Sequence, residues 1–174
     1  MIERKNIELS VKLFLEGIGE DPNRSGLLET PQRISNMCLE LFSNTNAQNN
    51  VELEKTFEVS NNDMVLQKDI NFYSICEHHL LPFFGRAHIA YVPNGKVLGL
   101  SKLARCVDIA SKKLHLQEKL TNEIAEKIIS CVNPKGVIVM LEAEHMCMTM
   151  RGIKKPGAKT ITYVTKGIFI DNTN

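Results

Sequence analysis

The chain has 174 residues, 43% hydrophobic and 24% charged, which is the size and make-up of one ordinary globular domain. Lys and Arg number 21 against 20 Asp and Glu, and the net charge of +1 argues against a nucleic-acid-coating or membrane-surface protein. No run of roughly 18 apolar residues is present, so no membrane span is expected.

Ile7, Val11, Phe14 and Ile18 recur at helical spacing and predict a first helix over about 2–17. Thr30-Pro31 is a start signal, a hydroxyl cap followed by proline at the first helical position. Ile34, Met37, Cys38 and Leu41 give that second helix its apolar stripe. Asn44 to Asn50 reads as a polar loop, and Glu52 to Asn62 as a short irregular or strand-like piece. Met64 to Ile70 and Phe83 to Val92 predict strands, the second closed by the turn Pro93-Asn94-Gly95. Lys96 to Leu100 continues extended.

From Leu103 the period becomes helical, through Cys106, Val107, Ala110 and Leu114. Leu120, Ile124, Ile128 and Cys131 mark a further helix, stopped by Asn133-Pro134-Lys135-Gly136. Val137 to Arg151 is read as extended again, and Thr160 to Phe169 as the last strand, rich in β-branched residues. The order strand, strand, helix, helix, strand, strand predicts an α+β fold, an antiparallel four-stranded sheet with two helices on one face. Residues 1–62 form an expected N-terminal helical region and 63–174 the expected sheet-and-helix domain, one compact unit.

The N-terminus is charged and lacks a following apolar core, so no signal peptide is expected. Five cysteines at irregular spacing, Cys38, Cys76, Cys106, Cys131 and Cys147, fit free thiols in a reducing, cytoplasmic setting. Cys38, Cys106 and Cys131 fall within helical patterns and read as buried small hydrophobes.

Cys76 and His79 have the Cys-x-x-His spacing that lets two side chains of one turn reach a single metal ion. His145 and Cys147 form a second pair. On a strand running from Glu142 to Arg151, His145, Cys147, Thr149 and Arg151 would share one face, and Met146, Met148 and Met150 the other. If all four Cys and His residues ligate, the site is closed and structural. If one histidine stays free, a position is left for water, as in catalytic zinc sites.

A second constellation lies around the two central helices. Ser101, Lys102 and Arg105 stand where a helix begins, with Ser101 as its expected cap. Unpaired N–H groups and the dipole favour an anion there. Solvated surface charge is the plainer reading of the two cations. Gln117-Glu118 lies between the helices. Glu118 would cap the next helix or accept paired hydrogen bonds from a planar donor edge.

These residues, in this order, resemble the GTP cyclohydrolase type I family. The resemblance rests on Phe72 to Gly85 (with Cys76-Glu77-His78-His79 at its centre), on Gly99 to Arg105, on Gln117 to Thr121, and on Glu142 to Gly152. The N-terminal Arg24 to Arg33 fits as well, so almost the whole chain is covered. The resemblance implies the tunnelling fold and the opening of the GTP imidazole ring, with carbon 8 released as formate and dihydroneopterin triphosphate formed. It implies zinc held by Cys76, His79 and Cys147, with water in the fourth position. His78 and His145 would transfer protons, and Ser101 would serve the ribose. Glu118 would recognise the guanine edge with Gln117 beside it, while Lys102, Arg105 and Arg151 hold the triphosphate. Glu77 is either a cation's partner or catalytic. The family also implies a homo-oligomer, a decamer of two stacked pentamers with sites between subunits. Tyr163 and Val164 depart from its pattern, which has a small hydroxyl residue and alanine after Thr162. Two rival readings are a zinc-stabilised binding module and a zinc-independent enzyme of the same fold.

Overall fold

The computed structural model describes residues 2–45 and 55–170. The chain divides into two compact units, Met1–Ala47 and Gln48–Asn174. The first holds α1 (Arg4–Gly17) and α2 (Thr30–Leu41), which pack on one another. Thr30 is the first residue of α2 rather than its cap; Glu29 occupies the cap position and makes no side-chain capping bond. The expected apolar stripe of α1 is only partly inward. Leu15 is buried, while Phe14 and Ile18 are exposed. Of the expected loop Asn44 to Asn50, the part from residue 46 lies outside the described residues, as do residues 52–54 of the segment after it.

The second unit is built on a twelve-residue strand β2 (Val65–Cys76) and an eleven-residue β3 (Pro82–Val92). β1 (Thr56–Glu58) pairs with β4 (Lys96–Leu98) in a separate two-stranded ribbon. α3 (Leu100–Ser111), β5 (Leu114–His115) and α4 (Gln117–Val132) follow, then β6 (Gly136–His145), the short α5 (Met146–Thr149) and β7 (Lys159–Gly167). The main sheet has the order β5-β2-β3-β6-β7, antiparallel except for the β2–β5 pair. The four expected strands are its body. The fifth, β5, was expected to be the end of a helix; two residues carry no periodicity of their own.

Residues two apart on a strand share a face, and one face is apolar. Phe72, Ala87, Ile89, Tyr91, Val137, Val139, Leu141 and Ala143 are buried with Leu103, Cys106 and Val107 of α3 and Leu120, Ile124 and Ile128 of α4 in one core. α3 packs against β2, and α4 against β6 and β7. The phenol of buried Tyr91 accepts a hydrogen bond from the Leu98 N–H at 3.0 Å, so its polar end is satisfied. Asn133 ends α4 in the left-handed conformation (φ 41°), its N–H bonded to the Ile129 carbonyl. Of the three cysteines expected to be buried, only Cys106 is fully so, and burial pushes its thiol up to about 12; Cys38 and Cys131 are half-buried.

The expected strand from Glu142 to Arg151 stops at His145. β3 begins at Pro82, and Phe83↔His145 is the last pair of that ladder. Beyond it β6 has no partner, and proline offers no N–H to prolong pairing. The chain turns into α5, where the Met150 N–H donates to the Met146 carbonyl at 3.0 Å. Alternation therefore does not set the orientation of residues 146–151. The three methionines do not form one core face: Met150 is 59% exposed, and Met146 and Met148 are half-buried.

Candidate active site

The loop between β2 and β3 carries Glu77, His78, His79 and Leu80. It is closed on both sides of Cys76: the Cys76 N–H donates to the Leu81 carbonyl at 2.9 Å, and the Leu80 N–H to the Cys76 carbonyl at 3.0 Å. Leu80 adopts a left-handed conformation (φ 52°), unusual for a branched side chain, and is itself exposed. A further bond, Glu77 N–H to the His115 carbonyl at 3.1 Å, pins the loop to β5.

This turn brings Cys76 and His79 together, and α5 delivers Cys147 beside them. One donor atom from each of the three lies within 4.8 Å of the other two. Cys76 Sγ is 3.9 Å from His79 Nδ1, where a tetrahedral zinc would set roughly 3.6 Å. A small closure would thus satisfy the bond lengths, and two thiolates with one imidazole are a donor set suited to zinc. Burial, then the neighbouring Cys76, raises the Cys147 thiol; a cation between the sulfurs would offset that repulsion. Cys76 is buried, Cys147 half-buried and His79 exposed, so the cluster opens to solvent on the His79 side. Arg151 reaches this cluster, with Nη1 2.8 Å from His79 Nε2.

His145 is not part of the donor cluster. Its ring lies parallel to that of Phe83, with centroids 4.7 Å apart and 1° between planes. Its Nε2 is 2.7 Å from Gln117 Oε1. Burial lowers its pKa, and the nearby Glu118 carboxylate opposes that effect. Gln117 is only 2% exposed. Its amide nitrogen, with two hydrogens to donate, faces three acceptors: the Leu141 carbonyl (3.2 Å), the Thr160 carbonyl (3.0 Å) and Thr162 Oγ1 (3.1 Å). Glu118, beside it in the first turn of α4, is exposed.

His78 is exposed and meets the His79 ring edge-on at 6.2 Å. Ser101, Lys102 and Arg105 stand on the first turns of α3. Ser101 is not its cap: Gly99 holds that position, and its carbonyl accepts the Lys102 N–H at 2.7 Å. Glu77 pairs with Lys119 at 3.1 Å, which favours the pairing alternative for that residue. Sequence reasoning missed the stacking partner Phe83, the Thr121–Thr162 hydroxyl pair behind Gln117 (2.7 Å) and the Lys113–Glu123–His115 group behind the loop. All are contacts across the fold, without a local spacing to reveal them. Tyr163 is 71% exposed on the sheet face away from the helices, and Val164 packs against the core, so neither residue of that departure belongs to the donor cluster.

Among solved structures, the chain is similar to the archaeosine synthase QueF-Like in its apo form, at 21% identity and a TM-score of 0.53 over 62% of this chain and 97% of that one. That likeness bears on fold alone and fits the tunnelling fold. The chain is 58% identical over 172 residues to a GTP cyclohydrolase 1 of Clostridium perfringens, spanning 99% of this chain and 93% of the relative. It is 55% identical to that of Clostridium kluyveri (97% of this chain, 91% of the relative) and 54% identical to that of Streptococcus pyogenes serotype M18 (97% and 87%). The family model for GTP cyclohydrolase I matches residues 7–174. With a model spanning nearly its whole length and relatives above half identity, the chain belongs to the GTP cyclohydrolase I family of enzymes.

Proposed function

We propose that the chain opens the imidazole ring of GTP by zinc-dependent hydrolysis, releasing carbon 8 as formate and giving 7,8-dihydroneopterin triphosphate. The observation that carries this reading is the grouping of three soft donors, Cys76, His79 and Cys147, with His145 held apart from them by Gln117. Three ligands leave a coordination position open, which separates a catalytic centre from a closed structural one. When bound there, zinc supplies Lewis-acid activation of water near neutral pH.

The chain's own groups do the rest. His145, whose neutral form burial favours, accepts and returns a proton at the purine. His78, exposed beside His79, is the second proton-transfer group. Glu118 accepts hydrogen bonds from the guanine edge, its carboxylate held at the N-terminus of α4. Lys102 and Arg105 on α3 hold the triphosphate together with Arg151, and Ser101 binds the ribose. Arg151 is available to an anion once it leaves His79 Nε2.

The oligomer is part of the same proposal. Tyr73, Ile161 and Tyr163 are 69%, 57% and 71% exposed on the sheet face away from the helices. β7 pairs only with β6, so among the described residues its outer edge is open. Edge-to-edge closure of copies into a ring would cover this edge, and stacked pentamers would give a decamer. Sedimentation of the purified chain as a monomer would contradict it. The activity itself is tested by incubating the zinc-loaded protein with GTP. Equal amounts of formate and dihydroneopterin triphosphate are expected, with both lost on chelation. Consumption of GTP without formate would refute the reaction.

A further inference from the structure

We infer that Gln117 is a positioning residue that sets the tautomer of His145, holding its proton on Nε2 and leaving the lone pair on Nδ1. The inference deepens the proposed function, since it rests on His145 as a proton-transfer group.

The orientation of the Gln117 amide follows from chemistry. Its nitrogen faces two backbone carbonyls, Leu141 O and Thr160 O, which accept and never donate. An oxygen placed there would meet two other acceptors. The nitrogen also meets Thr162 Oγ1 at 3.1 Å. That hydroxyl has its own direction. Thr121 Oγ1 donates to the Gln117 carbonyl at 2.7 Å, so it is the acceptor in its 2.7 Å contact with Thr162. Thr162 therefore donates to Thr121 and accepts from Gln117. The two amide hydrogens are shared among these three acceptors, and Gln117 Oε1 is left as an acceptor.

The partner of Oε1 is His145 Nε2 at 2.7 Å, so Nε2 must carry hydrogen. In the neutral ring Nδ1 then keeps its lone pair. Parallel stacking on Phe83 fixes the ring plane, so the hydrogen bond and the stack together leave one orientation. With its amide hydrogens engaged and only 2% of its surface exposed, Gln117 is poorly disposed to touch a base directly. A buried hydrogen bond of this kind favours one tautomer over the other by about tenfold or more.

The test is nitrogen NMR of the full zinc-loaded chain with isotope-labelled histidine at about pH 8, where neutral rings report their tautomers directly. There are five histidines, and the His145 signal is identified by its absence from His145→Asn. A single Nε2–H form is expected in the wild type. In Gln117→Leu the Nδ1–H form should rise by about tenfold, with zinc content retained, kcat lowered and KM for GTP little changed. Gln117→Glu separates positioning from structure. Its carboxylate still accepts from Nε2 but faces the Leu141 and Thr160 carbonyls, so it should be less stable than wild type yet keep the single tautomer.

An Nδ1–H form in the wild type would overturn the inference, as would an unchanged tautomer ratio in Gln117→Leu. If Gln117→Leu does not fold, the wild-type spectrum and Gln117→Glu still decide. Undiminished formate release by His145→Asn would remove the proton-transfer reading and leave the tautomer result standing, so the two failures are distinguishable.

Discussion

Glu123 on α4 lies beside His115, whose carbonyl holds the β2–β3 loop, and is the most testable electrostatic element of the fold. Its Oε2 is 2.6 Å from Lys113 Nζ and 3.3 Å from His115 Nε2, and its Oε1 is 3.9 Å from Lys127 Nζ. The His115 ring is near enough to interact but has no well-aligned hydrogen bond, so Lys113 is the main partner. Burial pushes the carboxyl up, yet His115 and Lys113 outweigh it and hold the group at about 2, against an ordinary 4.5.

A carboxylate depressed on folding stabilises fully above its unfolded pKa and loses that stability as pH falls through the folded value. The window is therefore from about 4.5 down to about 2. At 1.36 kcal/mol per pKa unit the drop is worth at most about 3 kcal/mol. With about a quarter of the side chain exposed, about 2 kcal/mol is the better figure. Glu123→Gln should lose this at pH 7, read by urea unfolding with circular dichroism. Near pH 3 less than half of the wild type's advantage should remain. Because His115 also anchors the Glu77 N–H, the variant should release zinc faster on chelation. Equal stability at pH 7, or a gap that widens on acidification, would refute the reasoning.

Further outcomes follow from the site and its supports. Cys147→Ser should lose most of its zinc and its activity together, because a hydroxyl is a poor soft ligand; full zinc content would remove Cys147 from the ligand set. Glu118→Ala should lose GTP binding while keeping zinc, and the wild type should reject ATP by roughly 10⁴-fold; unchanged affinity in a titration would leave Glu118 as a helix-terminal charge only. A Cβ on Gly85 would collide with the Glu142 carbonyl and stand 2.7 Å from Ala143 Cα, both backbone of β6. Gly85→Ala should therefore cost at least about 3 kcal/mol in unfolding experiments and lower formate release by displacing His145, whereas wild-type stability would contradict that packing.

The helical parts of the second unit were legible because α3 and α4 bury one continuous apolar stripe each, and the period survives in the residues. The donor residues were legible because Cys76 and His79 lie within one turn. Cys147 was legible as a residue but not in its geometry. Strand alternation placed it beside His145, whereas the end of the β3 ladder at Pro82 turns the chain into α5. The helix starts were misplaced by a residue or two, since Thr30 and Ser101 look like caps but Glu29 and Gly99 hold those positions. Gln117 was read beside Glu118 as a base-binding residue. Neighbours on a helix point in different directions, and only the tertiary structure turns Gln117 inward to His145 while leaving Glu118 exposed.

The most direct test of an open, three-ligand centre is to measure zinc per chain and formate from GTP in one preparation of His145→Ala. The variant should keep close to the wild-type zinc content and still bind GTP, while formate release falls by about 10²- to 10⁴-fold. Loss of zinc along with activity would make His145 a fourth ligand and contradict the open catalytic site.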